Sequence, residues 1–186
     1  EVYYYDTKQS FEAEEFASRL YDLICMEQEN GKTAGVVFLC IGTDRSTGDS
    51  LGPLIGYKLK EKRLERVEIL GTLERPVHAM NLETYQAILK FQYPDHVVVA
   101  VDASVGNMEH IGYVTLGKGS LKPGLGVSKE LKAVGDIFIT GIVGSCGSFD
   151  PLMLQSIRLS VVMRMADCIS RSIYLVEKLW ENASLL

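Results

Sequence analysis

The chain has 186 residues, 47% hydrophobic and 23% charged, enough for one domain over 1–186 with its own apolar core. Its formal net charge of −5 argues against a nucleic-acid partner, which would require a basic surface. No run of about 18 uncharged apolar residues is present, so no membrane span or membrane partner is expected.

The opening residues, Glu1-Val2-Tyr3-Tyr4-Tyr5-Asp6, have neither the basic region nor the apolar core of a secretory signal. Cys25, Cys40, Cys146 and Cys168 form no C-x-x-C pair, and free thiols in a reducing cytoplasm are expected. Phe11, Phe16, Leu20, Leu23 and Ile24 recur at near-helical spacing. They predict an amphipathic helix over 10–29, capped by Ser10 and stopped at Asn30-Gly31. Val36-Val37-Phe38-Leu39-Cys40-Ile41 is an unbroken apolar run, as expected of a strand buried on both faces. It halts at Gly42, and a polar loop leads to a helix over 53–63 opened by Pro53, with Gly52 as its cap. A shorter strand over 67–71 precedes a loop over 72–78, and Asn81 caps a helix ending near Gln92.

His96-Val97-Val98-Val99-Ala100-Val101 is the most strand-like segment, with Asp102 directly at its end. The next apolar run, 111–116, begins only nine residues after Asp102. A parallel crossover needs about a dozen residues or more, so this strand turns back antiparallel, and its partial alternation predicts an edge position. Residues 117–126 read as a mobile loop and 136–143 as the last strand, ending in Gly144-Ser145-Cys146-Gly147-Ser148. One long helix follows over 151–181. Its predicted inner stripe is Leu154, Ile157, Val161, Met165, Cys168, Ser172, Val176 and Leu179, with Arg158, Arg164 and Arg171 in water.

The expected fold is α/β: a three-layer α/β/α sandwich on a mostly parallel sheet of about five strands, of the phosphorylase/hydrolase-like kind. Ligand sites in such sheets gather at the carboxyl ends of the strands, where Asp49 and Asp102 fall on two different strands. Each acid alone has a structural explanation, Asp49 as a helix cap and Asp102 as an Asx-turn. Together they point to chemistry. Two carboxyls in one crevice do not both ionise cheaply, so one keeps its proton while the other takes a proton from water. Thr43, Asp44, Ser46, Thr47 and Ser50 are expected to shape that loop and reach the substrate. No cofactor is expected. A divalent metal at Asp49 and Asp102 is the alternative, with His78 or His110 completing the set, and His96 lies at the opposite edge of the sheet.

The stretch from Gly42 to Pro53 resembles the signature of the germination protease family of spore-forming bacteria, through Thr47-Gly48-Asp49-Ser50-Leu51-Gly52-Pro53 and the later Val101-Asp102-Ala103. It is similar more closely to the smaller sporulation proteins related to that protease, within the clan of the hydrogenase maturation endopeptidases. The resemblance implies an α/β/α fold and peptide-bond hydrolysis, with the family's two proposed catalytic aspartates at Asp49 and Asp102. It also implies a protein or peptide substrate, spore proteins among the candidates, and a cytoplasmic or forespore location. In the hydrogenase maturation enzymes the acid positions bind nickel with a later His. The corresponding stretch here, roughly 122–134, contains no His, which favours a metal-free site.

Other readings compete. Cys146 follows a strand and precedes a helix, so it is an alternative nucleophile for a cysteine hydrolase. A non-enzymatic sporulation protein that keeps the protease fold for binding is another. A phosphate binder is disfavoured, since no Walker or G-x-G-x-x-G pattern occurs and Asp44 and Asp49 repel anions.

Overall fold

The computed structural model describes residues 1–62, 64–123, 131–145 and 155–183. Its strands are β1 (Val2–Asp6), β2 (Gly35–Cys40), β3 (Val67–Leu70), β4 (His96–Gly106), β5 (Tyr113–Lys118) and β6 (Ile137–Ser145). Its helices are α1 (Ala13–Glu29), α2 (Leu51–Glu61), α3 (Leu82–Gln92) and α4 (Leu159–Ala183). The strands form one sheet in the order β1-β5-β6-β4-β2-β3, and β5 alone runs against the rest. The fold is the expected mostly parallel α/β sandwich, with six strands rather than five.

Alternate residues of the strands feed two apolar cores. On one face Val36, Phe38 and Cys40 of β2 and Val97, Val99 and Val101 of β4 pack beneath α1, α2 and α4. On the other, Val37, Leu39, Val98 and Ala100 meet Leu82 and Leu89 of α3, together with Leu121, Leu131 and Val134. Burial on both sides is why β2 and β4 read as continuous apolar runs. After β2 the chain crosses by α2 to β3 on one side, whereas α3 carries it back to β4 on the other side of β2. The connections therefore diverge between β2 and β4, which opens a crevice at their carboxyl ends.

Several expectations are corrected. Helix α1 starts at Ala13 without a side-chain cap, so Ser10 is not its cap; Phe11 instead packs with Tyr5 and Phe16, drawing the entry segment onto the core. Helix α2 starts at Leu51, not Pro53. A 3-10 turn at Thr47–Asp49 runs straight into it through Ser50, which replaces Gly52 as the flanking residue. Pro53 then occupies the first turn, where amides lack intrahelical partners and a missing N–H costs little. Strand β5 is not an edge, because β1 pairs with its outer side. Residues 117–118, assigned to a loop, belong to β5. In α4 Met165, Ser172 and Val176 of the expected stripe are buried, but Val162, Ala166, Ile169 and Ile173 complete the buried face in place of Val161, Cys168 and Leu179, and Leu179 is exposed. Leu154 lies outside the described residues, whereas Arg158, Arg164 and Arg171 are exposed as expected. Cys25, Cys40 and Cys168 are free, and burial pushes the Cys40 thiol up to about 12. Among the described residues no helix is long and apolar enough to cross a membrane.

Candidate functional site

The site is built where β2 ends. The Ile41 amide donates to the Val101 carbonyl of β4 (2.7 Å), and the Gly42 amide donates to the Val77 carbonyl beyond β3 (2.7 Å). The chain leaving β2 is thus fastened on both sides. At Gly42 φ is 143°, and a Cβ there would collide with the Asp49 carbonyl. The Thr43 amide donates to that same carbonyl (2.9 Å), closing the loop from Thr43 to Asp49. Gly52 lies so close to the Ile41 carbonyl that any Cβ would overlap it, seating α2 directly on the strand end.

These contacts carry Asp49 into a cavity of about 730 Å³ that Asp102 also lines. The carboxyl of Asp49 makes no cap bond to α2, and burial raises its pKa to about 6. Asp102 does not end its strand as expected. It is the seventh residue of β4, which continues to Gly106, and it faces the side of Val98 and Ala100. It is not an Asx-turn: its Oδ1 accepts the Ala103 amide (2.8 Å) within the strand. At 6% exposure, burial raises its pKa well above the ordinary carboxylate value; the Ala103 hydrogen bond opposes this and the charge of Asp49 adds to it.

Of the other expected residues, Thr43 and Asp44 line the cavity. The Thr43 hydroxyl also accepts the Arg45 amide (3.3 Å). Ser46, Thr47 and Ser50 do not line it. Ser50 is buried and donates its hydroxyl to the Thr47 carbonyl (2.7 Å), which knits the 3-10 turn. Cys146 lies outside the described residues. His78 lines the cavity, while His110 stacks near Tyr4 and Tyr113, and His96 begins β4 at the far end of the sheet. Among the described residues no group of three or more His, Cys, Asp or Glu side chains is placed to hold a metal ion. Asp49, Asp102 and His78 therefore share a cavity without forming a ligand set.

Arg45 and Met80 also line the cavity and were missed. Arg45 had a signal, as a lone cation inside the acidic loop. Met80 had none, because its type reads as core and it is 89% exposed. A hydroxyl array beside Asp102 was invisible as well. Thr140 of β6 is in register with Asp102; it shares a 2.6 Å hydrogen bond with Thr115 of β5 and accepts one from Ser104 (3.3 Å).

Comparison with known proteins adds three findings. The chain is 45% identical over 149 residues to "Uncharacterized protein YyaC" of Bacillus subtilis (strain 168), covering 79% of this chain and 73% of that protein. It is 19% identical to a solved [NiFe] hydrogenase maturation protease, HycI from Thermococcus kodakarensis KOD1, with a TM-score of 0.40 over 79% of this chain and 98% of that one. That likeness is too distant to carry a residue role or an activity across. A family profile matches residues 2–172, and the chain belongs to that family, described as "Protein of unknown function (DUF1256)".

Proposed function

We propose that the protein is a peptidase in which Asp49 and Asp102 share the work of a two-aspartate site. One observation carries this: two acids 53 positions apart in sequence line one cavity, and burial raises the pKa of both. At neutral pH Asp49, with a pKa near 6, is mostly ionised and serves as base, whereas the more deeply buried Asp102 keeps its proton and serves as acid.

The chemistry then balances. Asp49 takes a proton from water as the water oxygen bonds to the scissile carbonyl carbon. The carbonyl π pair moves onto its oxygen, which receives the Asp102 proton. When the resulting diol collapses, Asp102 recovers a proton from it, Asp49 gives its own to the amine nitrogen, and the C–N bond breaks. Ile41, Ala79, Met80 and Leu131 give the cavity an apolar wall suited to a peptide side chain, with Arg45 among its polar groups. The motif likeness to the germination protease family makes spore proteins, in a cytoplasmic or forespore setting, the first substrates to offer. No step is routed through a metal, since the donors among the described residues do not form a ligand set.

The test is incubation with spore proteins and a mixed peptide library, comparing wild type, Asp49→Asn and Asp102→Asn. Each substitution is expected to reduce kcat by at least about 10²-fold, the lower range for loss of a general acid or base. Equal cleavage by all three proteins rejects the reading. A chelator is expected to leave the wild-type rate unchanged.

A further inference from the structure

The turn after β3 fixes which nitrogen of His78 carries a proton. The His78 amide donates to Asn81 Oδ1 (2.8 Å), and Asn81 Nδ2 donates to the Pro76 carbonyl (3.0 Å). The Asn81 side chain is thus spent on bracing this turn rather than on capping α3. Within the turn the Met80 amide donates to His78 Nδ1 (3.2 Å). A backbone N–H only donates, so Nδ1 must accept, and the proton of the neutral ring resides on Nε2. Nε2 has no protein partner among the described residues, on a side chain that lines the cavity of Asp49 and Asp102.

We infer that His78 is a third catalytic residue, a neutral Nε2–H donor to the oxygen of the scissile carbonyl; this rests on the peptidase reading above. A carbonyl oxygen has two lone pairs. In the attack step one receives the Asp102 proton and the other the His78 hydrogen bond, which strengthens as negative charge gathers on the oxygen. No proton leaves His78, so the balance of the reaction is unchanged. The same geometry separates this role from metal binding. Coordination through Nε2 would require the ring proton to move to Nδ1, where it would confront the Met80 N–H.

Two measurements test the inference. Long-range ¹H–¹⁵N correlation on ¹⁵N-histidine-labelled protein reports the tautomer of each of the three histidines, His78 being the signal lost in His78→Gln. The Nε2–H form is expected, and an Nδ1–H form overturns the assignment whether or not the protein cleaves peptides. With the mixed peptide library as substrate, His78→Ala is expected to lose about 10²-fold in kcat with little change in KM, the scale of a lost oxyanion donor. His78→Gln, whose amide can donate from the place of Nε2, is expected to recover much of that loss, and His78→Phe none. Unchanged kcat in His78→Ala, or no rescue by Gln, overturns the donor role and leaves the aspartates untouched. Bound metal that vanishes in His78→Ala overturns it in favour of a ligand. Absence of wild-type cleavage rejects the peptidase reading itself, and the donor role with it.

Discussion

The charge of Asp49 is felt by Asp102. It is among the causes that raise the Asp102 pKa, after burial, although the two residues arrive from different elements, a 3-10 turn and the middle of a long strand. Such coupling couples folding to proton concentration. The pKa of Asp49 stands near 6 in the folded chain, against about 3.9 unfolded. Between those values the native state binds more protons than the unfolded state, so stability falls as pH rises from about 4 to about 6 and then levels off. Replacing the carboxyl removes this penalty. Asp49→Asn is expected to match wild type below pH 4 and to exceed it at pH 7 by about 1–2 kcal/mol, the value being discounted because Asp49 is only half-buried. Urea denaturation at the two pH values measures this, and a variant weaker than wild type at pH 7 would mean that the folded carboxylate is stabilised by partners.

Gly42 offers a test of the loop closure. Both its φ and the nearby Asp49 carbonyl oppose a side chain, whereas Gly119 has a φ of 121° with nothing within 4 Å of a Cβ. Gly119→Ala is expected to cost about 1 kcal/mol from backbone strain alone. Gly42→Ala should cost roughly 2–4 kcal/mol, since the loop must also shift away from the added methyl. Thermal melts of the two variants decide it, and equal losses would show that the Asp49 carbonyl yields freely.

Glu177 ties α4 to the start of β3. It is 4% exposed, and its Oε1 accepts the amides of Glu65 (2.9 Å) and Arg66 (3.1 Å), while Oε2 is buried without a hydrogen-bond partner among the described residues. Glu177→Gln keeps the acceptor and removes the charge, and should alter stability by less than about 1 kcal/mol. Glu177→Leu leaves two amides unsatisfied and should cost about 2–4 kcal/mol. Chemical denaturation compares them, with equal destabilisation by both variants counting against an acceptor role.

The sequence made legible those parts of the fold whose neighbours it also fixes. Strands β2 and β4 were recognisable because burial on both faces demands unbroken apolar runs, and β5 betrayed its direction through a connection too short for a crossover. Strand β1 was missed. Its Tyr3-Tyr4-Tyr5 run owes its pairing to β5, with Val2 opposite Gly117, a contact no local pattern records. The stripe of α4 was partly misplaced because the helix packs against both α1 and α2, and a sequence rich in apolar residues on several faces permits more than one choice. At the site, Asp49 and Asp102 were readable as acids near strand ends. The extension of β4 past Asp102 was not, because Ala103 to Gly106 become strand only through the register with β6.

That extension has a consequence for how the cleft adapts. Asp102 is gripped midway along a strand laddered to β6 before and after it, and its carboxyl is tied to the Ala103 amide, so it is an anvil whose backbone cannot shift without breaking the sheet. Asp49 rides on a short turn held at its two ends by Gly42 and the seat of α2. Whatever enters must be accommodated by the hammer rather than the anvil, so adjustments of the gap originate in the turn.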